Sequence, residues 1–320
     1  MTAGPLRGVF TLCFLLLTQQ AVHGQDLTVT LLGTGGPPPV MDRFGPSTLV
    51  EAGDEKLIFD VGRGATQQFF QLGMPLRAVT GVFLTHFHSD HTVGIPDLWL
   101  TGWLSPRFGG RTTPFQIWGP DGTEAMMAGL ELAYEADIRI RIADQHYLPE
   151  GVAVVAEDIT EGVVFERNGV RVTAFDVDHG DLIKPAMGYR IDYLGRSVVI
   201  SGDTRFSENL IRFAQGTDVI IHEVAAASEE LLAKSEGERL IIAHHTTPEA
   251  AGIVFDRVNP RLAVYSHLIR RGDFEIRPPS LDDVVASTRT NYDGALELGE
   301  DLMRIEIGDT IEVNGFTRSP

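Results

Sequence analysis

Short apolar runs alternate with amphipathic stretches along most of the chain. Apolar runs of about four to eight residues bounded by turn residues indicate buried strands, and apolar residues three and four apart indicate helices. Strands are predicted at Leu27–Leu32, Thr48–Ala52, Leu57–Asp60, Val79–Thr85, Phe115–Trp118, Val170–Val177, Gly188–Tyr193, Ser197–Ser201, Asp218–His222, Arg261–Ser266 and Ile311–Val313. Helices are predicted at Ala65–Leu72, Pro96–Leu104, Thr123–Ala136, Ser207–Gln215, Ala225–Lys234, Pro248–Val258 and Pro279–Thr288. This alternation predicts an α/β fold.

A dense group of polar residues follows the predicted strand Val79–Thr85. Within six residues the chain presents three imidazoles and one carboxylate: His86, His88, Asp90 and His91. Because alternate side chains of an extended chain point the same way, the first three are expected to converge, whereas His91 is expected to reach a second ion. Imidazole and carboxylate without thiolate suit zinc, with iron or manganese as alternatives.

Three further candidate ligands each follow a later predicted strand: His179, Asp203 and His267. Alone, each histidine would more often be an ordinary loop residue, but as a set at the ends of strands they favour a metal site. A zinc ion needs three or four protein ligands. With the four earlier residues the set reaches seven, which is enough for two ions that share one bridging group.

The order of these residues resembles the metallo-β-lactamase superfamily of hydrolases. The His-x-His-x-Asp-His segment at 86–91, the later His179, the Gly-Asp-Thr around Asp203 and the final His267 match motifs of that family. The resemblance runs from about Leu27 to the C-terminus. It implies an αββα sandwich, in which two mixed sheets carry helices on their outer faces and metals at one edge.

The resemblance also implies a role for each ligand. One zinc ion would be held by His86, His88 and His179, the other by Asp90, His91 and His267, with Asp203 as the bridge. Asp90 also counts among the catalytic residues. β-Lactamases of the commonest subclass use a Cys ligand, and the chain has no Cys after Cys13. Antibiotic hydrolysis is therefore not the first expectation.

Further segments resemble the branch of the superfamily that contains ribonuclease Z and arylsulfatases. Those that match elements of this branch are Leu32–Gly36, Pro46–Thr48, Phe59–Gly62, Ile221–Val224 and His245–Thr247. Two others, Asp42–Ser47 and Pro96–Trp103, are most similar to bacterial arylsulfatases of the zinc type. Because one fold hosts many ester chemistries, this likeness does not determine the substrate.

A histidine directly before the predicted helix Pro248–Val258 is the candidate proton donor for the leaving oxygen. His245 matches the branch's His-Ser/Thr-Thr element, and His244 is left as the alternative. Glu223 is expected to orient His245 and keep it charged, as carboxylates paired with histidines do. The alternative for Glu223 is a surface carboxylate without a role.

Five further residues are candidates for supporting the site or contacting substrate. Asp60 ends a strand and is expected to orient a ligand histidine, with loop capping as the alternative. His222 is expected to support the site in the same way. Trp99 and Trp103 share one helix face and are candidates for an aryl pocket, although helical aromatics more often belong to the core. Arg43 is a candidate contact for sulfate or phosphate, with a surface salt bridge as the alternative.

The N-terminus predicts export. Residues 1–24 combine Arg7, the apolar run Val9–Leu17 and a small-residue cleavage site, which is typical of a signal peptide. The apolar run is too short to span a bilayer, so no stable membrane anchor is expected after cleavage. Residues 25–320 are predicted to form a single hydrolase domain, periplasmic or secreted.

The charge balance is strongly acidic. The chain has 44 acidic and 26 basic residues, a formal net charge of −18. Such a charge repels nucleic acid, and the sequence has no basic cluster that would follow a phosphate backbone. A nucleic acid partner is therefore not expected, and a small anionic ester is. Related folds often pair, so a homodimer is considered.

These features together predict an exported dinuclear zinc hydrolase of anionic aryl esters, with aryl sulfate favoured. The alternatives are a phosphodiesterase, a ribonuclease Z-like enzyme that acts at the 3′ end of tRNA, and a lactonase or β-lactamase. A metal-binding scaffold without catalysis is the rival from another class. It is disfavoured because all seven ligands are present.

Overall fold

Two facing β-sheets form the centre of the computed structural model, which describes Met1 and residues 27–316. The strands in this part of the chain are β1 (Leu27–Gly33), β2 (Ser47–Ala52), β3 (Glu55–Phe59), β4 (Gly81–Phe83), β5 (Phe115–Gly119), β6 (Val154–Asp158), β7 (Gly162–Arg167), β8 (Val170–Asp176), β9 (Met187–Tyr193), β10 (Arg196–Ile200), β11 (Val219–Ala227), β12 (Leu262–Arg271), β13 (Leu296–Leu298), β14 (Arg304–Ile307) and β15 (Ile311–Asn314). The strand order is β15-β14-β1-β2-β3-β4-β5-β6 in the first sheet and β13-β12-β11-β10-β9-β8-β7 in the second.

Helices cover the outer faces of both sheets. Those of the described residues are α1 (Ala65–Gln71), α2 (Ser89–Thr92), α3 (Ile95–Trp103), α4 (Thr123–Gln145), α5 (Glu208–Ala214), α6 (Glu229–Lys234), α7 (Glu236–Ala243), α8 (Pro248–Val258) and α9 (Leu281–Thr288). Phe69 and Trp99 belong to a core between helices and the first sheet, and Phe255 and Val284 to one on the second. The predicted αββα fold class is confirmed.

The main core lies between the two sheets. Phe59 and Phe83 stack with ring centroids 5.0 Å apart, and Tyr189 from the opposite sheet lies 5.7 Å from Phe83. Each large apolar side chain that is fully buried contributes about 1.5–3 kcal/mol. This packing holds the two sheets in a fixed relation, so loops from both can form one site.

The parallel strands determine where that site lies. β3, β4 and β5 run parallel in the first sheet, and β10, β11 and β12 in the second. Because parallel strands end at the same edge of a sheet, the loops after them meet at that edge. These loops carry Asp60, His86 and Asp203, and His267 lies within β12 itself.

Some predicted elements differ from the structure. The predicted helix Ala225–Lys234 begins only at Glu229, because residues 225–227 continue the strand β11. Alanine favours helices, but pairing with β12 over this stretch outweighs that propensity. The predicted helix Thr123–Ala136 continues to Gln145. The strands β6, β7, β13 and β14 were not predicted, since several of them are short and partly exposed.

The predicted signal peptide, residues 1–24, lies outside the described residues apart from Met1, so export stays a prediction. The assignment of residues 25–320 to a single domain likewise stays a prediction. Among residues 27–316, no helix is both long enough and apolar enough to cross a bilayer.

Candidate metal centre

Three imidazoles converge beyond the end of β4. The Nδ1 atom of His88 lies 3.0 Å from Nε2 of His86 and 3.3 Å from Nε2 of His179. The other ring nitrogen of His86 contacts Thr85 Oγ1 at 2.9 Å, and that of His179 contacts the His244 carbonyl at 2.8 Å. A carbonyl only accepts, so Nδ1 of His179 carries the proton. Its Nε2 lone pair therefore points into the site.

Asp90, His91 and His267 form a second group. Asp90 Oδ2 lies 3.3 Å from Nε2 of His267 and 3.8 Å from Nε2 of His91. Asp90 and His91 both lie on α2, a single helical turn. A turn of helix therefore brings Asp90 to the site. The sequence had instead suggested an extended segment in which His86, His88 and Asp90 point the same way.

Asp203 joins the two groups. Its Oδ2 atom lies 3.8 Å from Nε2 of both His86 and His179. The same oxygen lies 3.3 Å from Nε2 of His91 and 3.5 Å from Nε2 of His267. One carboxylate oxygen between two sets of nitrogens suits a ligand shared by two ions. The structure thus brings all seven predicted ligands together.

Asp60 and Thr85 hold two of the ligand histidines in place. Asp60 follows β3 with a φ of 58°, in the left-handed region that few residues adopt. Its Oδ2 accepts hydrogen bonds from His91 Nδ1 and Thr85 Oγ1, both at 2.8 Å, and its Oδ1 accepts from the Thr85 amide. Since the Thr85 hydroxyl donates to Asp60, it accepts from His86. Asp60 therefore orients His91 directly and His86 through Thr85.

The sequence did not indicate two of these supporting contacts. Thr85 is a polar residue at the end of a buried strand and directly before His86, and that position was the available signal. The contact from His244 to His179 uses a backbone carbonyl. No side-chain pattern predicts such a contact.

The neutral histidines and the unpartnered buried atoms of the cluster fit a divalent metal ion. Burial holds the pKa of His86 well below its ordinary value and lowers the pKa of His179 to about 4, so both are neutral, as ligand imidazoles must be. Burial opposes a charge on His91, but Asp203 and Asp60 raise its pKa well above its ordinary value. His91 Nε2 and Asp203 Oδ1 are buried without a hydrogen-bond partner among the described residues. A bound cation satisfies both atoms.

Glu223 and His245 form an ion pair beside the metal ligands. His245 Nδ1 lies 3.3 Å from Glu223 Oε2. The other oxygen of Glu223 accepts from the backbone amides of Thr246 at 2.8 Å and Thr204 at 3.3 Å. Burial disfavours a charge on His245, but the Glu223 carboxylate outweighs it and raises the pKa of His245 to about 9. His245 is therefore charged at neutral pH and can donate a proton.

His244 occupies a different position from His245. The ring of His245 lies 5.0 Å from that of His179 and 5.8 Å from that of His267, by ring centroids. The ring of His244 lies 6.2 Å from His179, and its contact with that ligand is made by its carbonyl. The structure pairs His245, and not His244, with Glu223.

His222 lies away from the ligands. Neighbouring residues of a strand point to opposite faces, so His222 faces away from the site when Glu223 faces it. Its ring packs edge-on against Phe255 with centroids 5.6 Å apart, and its Nδ1 contacts the Glu223 carbonyl at 2.6 Å. The expectation that His222 orients a ligand is therefore not supported. Within residues 27–316, Asp60 is the side-chain carboxylate that orients a ligand histidine.

A cavity of about 430 Å³ opens over the metal ligands. Its base includes His88, Asp203 and His245, and its walls include Ile241 of α7 and the loop that carries Arg43. Arg43 Nη1 donates to Thr34 Oγ1 and to the Gly299 carbonyl, both at 2.6 Å. Arg43 therefore lies at the cavity as predicted, but part of its guanidinium already braces the wall.

Trp99 and Trp103 do not line this cavity. Both are buried in the core between helices and the first sheet. Their indole Nε1 atoms donate to the carbonyls of Val152 at 2.8 Å and Leu148 at 2.9 Å. The interpretation of the two tryptophans as an aryl-binding face is wrong, because the helix face that they share packs inward.

Comparison with known proteins gives sequence relatives named ribonuclease Z. The chain is 33% identical to ribonuclease Z of Mycolicibacterium gilvum over 281 residues, which cover 88% of this chain and 96% of the relative. It is 32% identical to ribonuclease Z of Mycobacterium bovis, over 88% of this chain and 98% of the relative. These relatives contradict the expectation that nucleic acid is not a partner, and within the predicted branch they support ribonuclease Z and not the arylsulfatases. Net charge was a poor guide to the partner because it describes the whole surface and not the site.

Solved structures and a family model agree with this fold. The metallo-β-lactamase fold protein YhfI from Bacillus subtilis matches with a TM-score of 0.66 and 19% identity, over 87% of this chain and 98% of that protein. The short form of human tRNase Z matches with a TM-score of 0.63 and 21% identity, over 88% and 99%. The model of the β-lactamase superfamily domain matches residues 55–268. The chain therefore belongs to the metallo-β-lactamase superfamily and is a hydrolase.

Proposed function

We propose that this hydrolase is a phosphodiesterase that cleaves RNA as ribonuclease Z does, at the 3′ side of tRNA. The observation that carries the proposal is the 33% identity to a ribonuclease Z over 88% of this chain and 96% of the relative. Such a match extends well beyond the metal ligands. The net charge of −18 does not decide against it, because three arginines line the cavity: Arg43, Arg270 and Arg271.

The proposed cofactor is a pair of divalent metal ions, with zinc as the first choice. The residues that would hold one ion are His86, His88 and His179, those for the other are Asp90, His91 and His267, and Asp203 would bind both. Such ions supply Lewis acidity toward an anionic ester and a water of lowered pKa.

His245 supplies the proton that the leaving oxygen needs in this proposal. The ester bond between phosphorus and that oxygen breaks as water adds to phosphorus, and the oxygen would otherwise depart as an alkoxide. His245 faces the cavity and is kept charged by Glu223. Glu223 is itself fixed by the Thr246 and Thr204 amides. A held imidazolium of this kind contributes about 10²–10⁴-fold to such a step.

Asp60 keeps the ligand histidines ready for metal binding in this mechanism. By accepting from His91 Nδ1 it fixes a proton on that atom and turns Nε2 toward the site, and through Thr85 it does the same for His86. Outer partners of this kind typically change metal affinity or activity by about 10–100-fold.

Cleavage of a tRNA transcript with a 3′ trailer tests the proposal. The zinc-loaded protein is given the 5′-labelled transcript, bis(p-nitrophenyl) phosphate and p-nitrophenyl sulfate in parallel. We expect a single cut at the 3′ side of the tRNA and a kcat/KM for RNA far above that for the sulfate. The Asp203→Ala variant, purified identically, controls for contaminating nuclease. Hydrolysis of the sulfate without cleavage of the transcript contradicts the proposal.

A further inference from the structure

One wall of the cavity is a loop with little support of its own. We call residues 35–43 the lip; several of them line the cavity, and residues 37–42 are exposed. Pro37, Pro38 and Pro39 have no amide hydrogen to donate. Within the lip the backbone bonds only Val40 to the Pro38 carbonyl, and Gly35 closes it by donating to the Phe44 carbonyl. The position of the lip therefore depends on how its two ends are held.

A single distant carboxylate holds both ends. Asp301 lies in the turn before β14, and its Oδ1 accepts from the Thr34 amide at 2.9 Å and from the Thr34 hydroxyl at 2.8 Å. Its Oδ2 accepts from the Phe44 amide at 2.7 Å and from Gln68 Nε2 at 3.2 Å. Thr34 precedes the lip and Phe44 follows it. Hydrogen bonds to an ionised acceptor are roughly twice as strong as neutral ones.

Thr34 also connects the lip to the opposite wall of the cavity. Its carbonyl accepts from the Leu268 amide at 2.9 Å, directly after His267. Its hydroxyl accepts from Arg43 Nη1 at 2.6 Å, at the far end of the lip. The lip, β12 and Asp301 are thus joined through one residue, Thr34. A change at Asp301 reaches the cavity wall without touching a metal ligand.

We propose that Asp301 is a positioning residue that fixes both ends of the lip and so sets how well the cavity binds a bulky substrate. Among the hydrogen bonds of residues 27–316, Asp301 makes none to the seven metal ligands. Its loss is therefore expected to raise KM and to leave kcat and metal content unchanged. The inference rests on the proposed function only for the choice of RNA as the bulky substrate.

Replacement of the carboxylate by its amide is the first test. Asp301→Asn keeps one acceptor oxygen, but its NH2 group must face an N–H donor at Thr34 or at Phe44, so one end of the lip is released. We expect KM for the 3′-extended transcript to rise about tenfold, since hydrogen bonds to charged groups are the stronger class. KM for bis(p-nitrophenyl) phosphate should change less. Glu300→Gln, a neighbouring exposed residue, is the matched control for the loss of charge.

A second pair of variants tests the same contact from the other side. Thr34→Val keeps the side-chain shape but removes the hydroxyl that bonds to Asp301 and Arg43. Thr34→Ser restores the hydroxyl. We expect Thr34→Val to raise KM for the transcript and Thr34→Ser to return it to the wild-type value. These two variants also test whether the contact between Asp301 and Thr34 affects KM if Asp301→Asn does not fold.

Hydrogen exchange in the metal-free protein gives a readout that is independent of turnover. Peptides that cover residues 35–44 should exchange faster in Asp301→Asn, while peptides from β9 should not change. A folded Asp301→Asn variant with unchanged KM and unchanged exchange overturns the inference, as does a loss of kcat and metal with KM unchanged. If the wild-type protein does not cleave RNA, the proposed function fails. The Asp301 test then proceeds on whichever ester is turned over, and the exchange result stands by itself.

Discussion

The metal ligands and the lip border the same cavity but are built in opposite ways. Six of the seven candidate metal ligands are buried, and Asp60 lies behind them and hydrogen-bonds to His91. The lip is exposed along most of its length and is held at its ends, where Asp301 bonds to Thr34 and Phe44. The buried set determines which chemistry is available, and the exposed wall determines which ester reaches it. A division of this kind fits the general rule that one fold can host many chemistries.

The largest expected effect comes from removing the residue that joins the two ligand groups. Asp203→Ala should lose metal at both positions, because Asp203 Oδ2 lies within 3.8 Å of ligand nitrogens in both groups. kcat/KM should fall by about a thousandfold or more, since several kcal/mol of charge stabilisation is lost. Metal content is measured by mass spectrometry of digested protein, with the exposed Asp293→Ala as control. Loss of one equivalent only would show that Asp203 does not bridge.

The next effect separates proton donation from metal binding. His245→Ala should slow esters with poor leaving groups by about 10²–10⁴-fold, while activated nitrophenyl esters lose little. His244→Ala is the matched control, because the contact of His244 with His179 is made by its carbonyl. Rates are compared on a series of phosphodiesters with graded leaving groups. Equal losses across the series would remove the proton-donor role from His245.

The same contrast between ligands and walls explains what the sequence could predict. Ligand residues have few chemical alternatives, and their spacing is local, so the segment from His86 to His91 indicated metal binding by itself. The apolar patterns indicated most strands, and hence the edge at which the ligands meet. Asp90 lies on a helical turn and not on an extended segment, but it joins the other ligands as predicted.

The features that the sequence did not predict depend on contacts between residues that are far apart in the chain. Asp301 lies 267 residues from Thr34, and no local pattern links them. Trp99 and Trp103 share a helix face, but spacing alone does not show whether that face meets the core or a cavity. Net charge failed for a related reason, because it averages over a surface of which the site is a small part.

A smaller effect is expected on the pH dependence of the reaction. The pKa of His245 is about 9, so the proton donor is present below that pH and is lost as pH rises through it. Glu223→Gln removes the charge that raises this pKa, and burial then favours the neutral ring. The alkaline fall in kcat for a poor leaving group should therefore move to lower pH. An activated ester measured in parallel serves as the control, and an unshifted fall would show that Glu223 does not set the pKa of His245.

The smallest effect on activity is expected at Trp99, which was considered for an aryl pocket but lies in the core. Trp99→Phe removes the indole donor to the Val152 carbonyl and some buried ring volume. The free energy of unfolding should fall by about 1–3 kcal/mol, because a buried acceptor loses its partner. kcat/KM should stay within about twofold of the wild type, because Trp99 belongs to the core between helices and the first sheet and does not line the cavity. Denaturant unfolding and steady-state kinetics on one preparation measure both quantities. Unchanged stability with a large rise in KM would show that Trp99 contacts the substrate. The sequence would then have predicted part of the cavity wall as well as the ligands.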